Sequence, residues 1–229
     1  MGSILLLTFG YFLGALPFAV ALAAANGMDP AREYDLHAAL QQRLGWLPAM
    51  AAVAVDSAKG VFPVLIGFGF SLSPGVISMA GLAAVVGQMW PPLRGHGVKG
   101  NSTGAGALIA LALVYQTYVV LLALAFFALG VAIKVTTMSS EALEHHDSGH
   151  PLSLALPLCM LLGFIVAPVF SWLSGAPHWL TIGLALILGA ITAKRLTTGL
   201  KVDLLVGASV WRVLVRRWLF DQSLAGRDS

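Results

Sequence analysis

The sequence predicts an all-α integral membrane protein with seven transmembrane helices, its amino terminus outside and its carboxyl terminus in the cytoplasm. Three observations carry that expectation. The 229 residues are 58% hydrophobic and 10% charged, and the mean hydropathy is +0.86. A soluble domain carries about 25% charged residues, so this chain lacks the polar surface to cover a globule of its own size, yet it has too much apolar material to stay disordered. Apolar runs of span length recur along the chain. At about 20 residues each, seven spans use roughly 140 residues and leave no room for a large soluble domain. Finally, Lys and Arg collect on one side once those runs are threaded through a bilayer.

The first run, residues 4–25, has no basic residue before it. It reads as a membrane helix, with a cleaved signal segment as the alternative. A polar segment, 29–43, precedes the second run at 47–72, which carries Asp56 and Lys59. Ser73-Pro74-Gly75 is a turn signal. The third run, 76–90, ends at Pro91-Pro92, and a Gly-rich basic segment follows. Residues 105–135 are too long for one helix, and the polar break Tyr115-Gln116-Thr117-Tyr118 divides them into a fourth and a fifth span. A hydrophilic loop leads to the sixth run, 151–173, then a turn, 174–177, and the seventh run, 179–193. Residues 1–199 therefore form the membrane domain and 200–229 a basic cytoplasmic tail. Cys159, the one cysteine, lies in an apolar run, so no intrachain disulfide can form.

With the amino terminus outside, all 13 Lys and Arg fall on the cytoplasmic side, and the outer turns at 71–75, 115–118 and 174–177 contain none. In the tail, Trp211, Leu214, Val215, Trp218 and Leu219 share a helical face, and Arg212, Arg216 and Arg217 lie away from it. This predicts a helix in the inner interface with its arginines toward anionic headgroups. A helix docked onto the bundle is the alternative.

Polar residues inside a membrane point to function. Asp56 and Lys59 are three apart and of opposite sign, as a neutralising pair would be, or as a lysine facing a polar pocket would be if a carboxylate oriented it. The segment from Gly95 to Gly104 is richer. Its glycines let backbone amides approach an anion, Lys99 adds a charge, Ser102 and Thr103 add hydroxyls, and the segment opens a helix. Those features suit a phosphate, although an ordinary flexible loop has the same composition. His145, His146, Asp147 and His150 read as a solvated loop rather than a metal site.

The order Asp56-Ser57-Ala58-Lys59-Gly60, then Gly87-Gln88-Met89-Trp90-Pro91, then Val98-Lys99-Gly100 and Thr103 resembles the bacterial acyl-phosphate glycerol-3-phosphate acyltransferases of the PlsY type. That family's second loop reads Gly-His-x-x-Pro, Lys-Gly-Gly-Lys-Gly and then Thr. Gly87, Pro91, Gly97, Lys99, Gly100 and Thr103 fit, while Gln88 stands for the His, His96 for the first Lys and Val98 for a Gly. Ser153 sits in a Ser-x-Ala setting like the one before the family's sixth span. The Gly-rich first motif is replaced by residues 31–39, with Arg43 near the place of the family Arg. The third motif, a His and an Asn after the seventh span, is missing.

The resemblance implies a seven-span enzyme of the bacterial inner membrane with a cytoplasmic active face. It would transfer a fatty acyl group from acyl phosphate to glycerol 3-phosphate to form lysophosphatidic acid, in phospholipid biosynthesis. Its implied partners are those two substrates and membrane lipids, with no cofactor, metal, nucleic acid or obligate protein partner. Lys99, His96 and Thr103 are the candidate catalytic residues. Gly97, Lys99, Gly100, Ser102, Thr103, Lys59, Arg43 and Ser153 are the candidates for holding substrate phosphate. No general base stands out, with His37 and His96 as guesses. The alternatives are a non-catalytic member that binds lipid or acts as a scaffold, and an acyltransferase with another phosphorylated acceptor. A transporter is disfavoured, because the outer half has almost no polar residue to complete a path.

Overall fold

The computed structural model describes residues 1–30, 36–92, 97–141, 155–198, 200–205 and 209–221, with the backbone alone at 137–141, 201 and 202. Among these residues the structure is helical and has no strand. The first apolar run forms α1 (Gly2–Ala15) and α2 (Phe18–Ala25). The break falls at Leu16-Pro17, because proline lacks the amide hydrogen and clashes with the preceding turn. A short helix, α3 (Leu36–Leu44), leads into α4 (Trp46–Gly69) and α5 (Pro74–Met89), which starts with proline in its first turn. Then follow α6 (Asn101–Val114), a 3-10 turn (Tyr118–Leu122), α7 (Ala123–Glu141), α8 (Ala155–Leu173) and α9 (His178–Thr197). The tail forms α10 (Leu200–Leu205) and α11 (Val210–Phe220).

Five helical stretches are long and apolar enough to cross a membrane: Gly2–Ala25, Trp46–Gly69, Tyr118–Thr136, Ala155–Leu173 and His178–Thr197. The expected break between a fourth and a fifth span is present, at Tyr115-Gln116-Thr117, where Gln116 takes positive φ. The third and fourth runs, α5 and α6, are short for spans, at 16 and 14 residues. At about 1.5 Å per residue they measure roughly 24 and 21 Å, against about 30 Å of hydrocarbon. These two are also the enclosed helices. They carry Ile77, Val85, Met89, Leu108 and Leu111 into a core completed by Val64, Phe164, Ile187 and Ile191. The outer helices present Leu5, Phe9, Phe62, Phe68, Leu129 and Ile182 outward, as expected where the solvent is lipid.

Small residues set the closest contacts. A Cβ on Gly60 would overlap the Thr103 carbonyl oxygen, and one on Gly106 would overlap the Ser57 carbonyl oxygen, so α4 and α6 meet backbone to backbone. A second cluster of Ala19, Ala23, Leu36, Leu40 and Ala52 clamps α3 between α2 and α4.

The two ends of the bundle differ. At one end the Tyr115 hydroxyl donates to the Pro74 carbonyl at 2.8 Å, and the Trp179 ring covers Gly75. The chain's first residues lie there too, since Leu72 is the neighbour of Gly2. At the other end lie Lys99, Lys194, Arg195 and Arg217. Lys194 Nζ donates to the Met89 carbonyl at 2.7 Å and sits over the Trp90 ring.

One side of α11 takes the docked alternative. It packs on α8 and α9. Val213 and Arg217 are buried, while Trp211 and Trp218 are exposed, as an apolar face turned toward an interface would be. Arg217 turns inward, where Nε donates to Asp203 of α10 at 2.7 Å and NH1 donates to the Thr198 carbonyl. A buried carboxylate attracts this arginine more strongly than distant headgroups can.

Candidate active site

Pro17 starts the site. By breaking the first span it leaves the Leu16 carbonyl outside the helical ladder, and Lys59 of α4 donates to it at 2.6 Å. Lys59 Nζ also lies 2.5 Å from Asp56 Oδ1, one turn earlier on the same face. The other Asp56 oxygen, Oδ2, is 3.2 Å from His37 Nε2 of α3. The Asp56 backbone carbonyl accepts from the Thr103 hydroxyl of α6 at 2.7 Å. Asp56 and Lys59 are buried, whereas the His37 side chain is 22% exposed. A charge in this position is tolerable because each partner is present and bonded. In the tautomer with hydrogen on Nε2, His37 donates to Asp56 and presents Nδ1 as a hydrogen-bond acceptor.

A small cavity of about 20 Å³ opens beside this cluster, lined by Leu16, Pro17, Asp56, Lys59, Gln88, Gly97 and Val98 among others. That is room for a water-sized group. Gln88 is buried, and neither its amide nitrogen nor its amide oxygen has a hydrogen-bond partner. An orphaned buried amide costs free energy, and the adjoining cavity has room for a water or a polar ligand atom to bond it. An apolar cleft of about 400 Å³ adjoins the cavity and shares Leu16, Pro17, Phe18 and Lys59 with it; Leu13, Ala21, Val55, Ala58 and Phe62 complete its walls.

The glycine loop lies across the same end. Gly97 presses on the end of α5, where a Cβ would overlap the Gln88 and Met89 carbonyl oxygens. Gly100 takes φ +74° as the cap of α6, a conformation glycine adopts without strain. Between them Lys99, 28% exposed, pairs with Asp221 at 2.8 Å.

The structure thus brings Lys59 and Gly97 to one cavity and sets Lys99 and Gly100 on the loop that lines it. Thr103, expected as a phosphate donor, has another partner here. It is fully buried, and its hydroxyl is spent on the Asp56 carbonyl, so it ties α4 to α6. Ser102 lies half-buried in the first turn of α6. Arg43 lies exposed in the last turn of α3, the helix that carries His37. His96, Ser153 and the His145 to His150 cluster fall outside the described residues. Sequence reasoning missed the joining of His37 to Asp56, the orphaned Gln88 and the Asp221 carboxylate.

A family model described as glycerol-3-phosphate acyltransferase matches residues 4–201. A glycerol-3-phosphate acyltransferase of Rubrobacter xylanophilus is 38% identical over 116 residues, which is 49% of this chain and 58% of that protein. One from Neisseria meningitidis serogroup C is 31% identical over 186 residues, covering 77% of this chain and 83% of that protein. The chain spans 57 to 58% of the length of several of the curated relatives it matches. Two crystal structures of PlsY, an integral membrane glycerol 3-phosphate acyltransferase, share the fold at 22% identity. The lysophosphatidic acid form superposes with a TM-score of 0.62 over 90% of this chain and 93% of that one. The glycerol 3-phosphate form gives 0.63 over 93% and 99%. A family match over residues 4–201 and a shared helical membrane fold together establish that the chain belongs to the glycerol-3-phosphate acyltransferase family.

Proposed function

We propose that this chain is an acyltransferase of the bacterial inner membrane that moves a fatty acyl group from acyl phosphate to glycerol 3-phosphate. The product is lysophosphatidic acid for phospholipid synthesis. In this reading the seven apolar segments all span, with α5 and α6 as short central spans, the amino terminus outside and the active face cytoplasmic. The observation that carries the proposal is Lys59, which stands at the seam between the apolar cleft and the small cavity that Asp56 and Gln88 also line. An acyl phosphate has the same division, with an apolar chain joined to an anionic head. The chain would lie against Phe62 and Leu13, and the phosphate would meet Lys59, the Gln88 amide and the glycine loop.

The reaction needs little covalent help from the protein. The glycerol hydroxyl attacks the acyl carbonyl, the acyl–phosphate bond breaks, an ester forms and phosphate leaves. Two anionic substrates must be held together, and charge on the developing oxyanion must be offset. Lys59 and Lys99, with the loop amides of residues 97–100, are the groups suited to that task. His37, steadied by Asp56, is suited to receive the hydroxyl proton.

The test is direct. The purified full chain in lipid nanodiscs is given long-chain acyl phosphate and glycerol 3-phosphate, and lysophosphatidic acid is measured by mass spectrometry. Turnover is expected, with Lys99→Ala reduced about 10²- to 10³-fold, as for loss of a charge-stabilising donor. A chain that gives no product while a PlsY enzyme turns over beside it is not this enzyme.

A further inference from the structure

Asp221 is oddly placed by local rules. It ends α11 with φ +51°, a left-handed conformation that glycine, asparagine and aspartate take up more readily than other residues. Its backbone N–H closes the helix on the Arg217 carbonyl at 2.9 Å. A carboxylate here also faces the negative end of the helix dipole, where a cation is favoured. A buried carboxylate at that end of a helix asks for a compensating cation. The partner is Lys99, 2.8 Å away, with the Asp221 side chain 8% exposed. The segment that delivers this carboxylate lies beyond residues 4–201, the part matched by the family. It is also firmly mounted: Arg217 is held by Asp203 and the Thr198 carbonyl, and Arg195 NH1 donates to the Trp218 carbonyl at 3.3 Å.

We propose that Asp221 is a resident counter-ion that makes the Lys99 site selective for dianionic phosphate. The inference rests on Lys99 as a phosphate-holding residue. An incoming anion must take the place of a carboxylate of charge −1. Another monoanion gains nothing in charge by that exchange, whereas a phosphate monoester in its dianionic form gains a second unit of attraction to the same ammonium. The tail thereby acts as a filter on which anions can reach the loop, at the expense of some affinity for the right one.

The experiment compares wild type, Asp221→Asn, Asp221→Glu, Arg217→Lys and Lys99→Ala in the nanodisc assay, each with acetate and with inorganic phosphate as competing anions. Asp221→Asn is expected to lower KM for glycerol 3-phosphate about threefold to tenfold, the scale of one part-buried ion pair. It should also let acetate inhibit at concentrations that leave the wild type untouched. Asp221→Glu should restore the wild-type pattern. Arg217→Lys, which disturbs the mounting of α11 but keeps the carboxylate, should not admit acetate. If Asp221→Asn leaves KM and acetate inhibition unchanged while Lys99→Ala is impaired, the counter-ion proposal is wrong and the site reading stands. If Lys99→Ala turns over like wild type, the site reading itself fails.

Discussion

Asp56 is the residue on which four elements meet: α4 carries it, α3 reaches it through His37, α6 reaches its carbonyl through Thr103, and Lys59 links it to the broken end of α1. Its spacing from Lys59 was readable because residues three apart share a helix face. His37 was not readable as its partner. That contact depends on Leu36 and Leu40 packing α3 against Ala19 and Ala52, a tertiary event that leaves no periodic trace in nine residues. Gln88 presents the opposite case, a polar side chain with nothing bonded to it. A residue kept unpaired for a ligand trades stability for binding. Gln88→Leu, similar in size and apolar, should therefore raise thermal stability, by about 1–3 kcal/mol if the whole amide penalty is recovered. The same variant should lose about tenfold or more in kcat/KM, because the polar contact to substrate is gone. Thermal melting in detergent and the acyltransferase assay, run side by side, check both halves; a variant that loses stability with its activity would make Gln88 a structural residue.

Among the helices, the contact of α4 with α6 matters most for function, because it aligns Asp56 and Lys59 with the start of the helix that follows the glycine loop. Gly60 and Gly106 let those backbones touch. In lipid there is no hydrophobic drive between helices, so such close packing is the main source of association. Gly106→Ala should separate the helices and cost about 1–3 kcal/mol, as overpacking does. Gly189→Ala on α9, where a Cβ would meet no atom within 4 Å, should be neutral or slightly stabilising, since alanine is the better helix former. Equal losses at both positions in a melting experiment would contradict the packing account. The helices themselves were readable from their apolar runs and from Pro17, Pro74 and the Tyr115 break, but their depth in the bundle was not. α5 and α6 can be short because other helices, not lipid, surround them, and composition alone does not separate those two environments. For α11 the inward turn of Arg217 was not legible, because its partner Asp203 stands among the mainly apolar residues of α10 and the two meet only when the tail folds back.

Across the molecule, charge divides end from end. Among the described residues, the end that gathers Pro74, Tyr115 and Trp179 has no Lys or Arg in its turns, and the opposite end holds Lys99, Lys194, Arg195 and Arg217. That division follows from sequence through the positive-inside bias, and the folded chain adds that the candidate site lies toward the basic end. The proposed reaction puts the active face in the cytoplasm, so the orientation is also a test of the function. Cysteine labelling can measure it, because the native Cys159 is buried and a new thiol dominates the signal. Ser174→Cys, in an exposed turn at the end poor in cations, should react with a membrane-impermeant maleimide in intact cells. Gln42→Cys, exposed on α3 beside Arg43, should react only after the membrane is opened. The reverse pattern would put Lys59, Lys99 and the cleft on the outer face, away from both substrates, and would remove the proposed reaction together with the orientation. Labelling of both thiols in intact cells would break the even number of crossings that α5 and α6 supply as short spans, and would place one of those two helices in the bundle without crossing it.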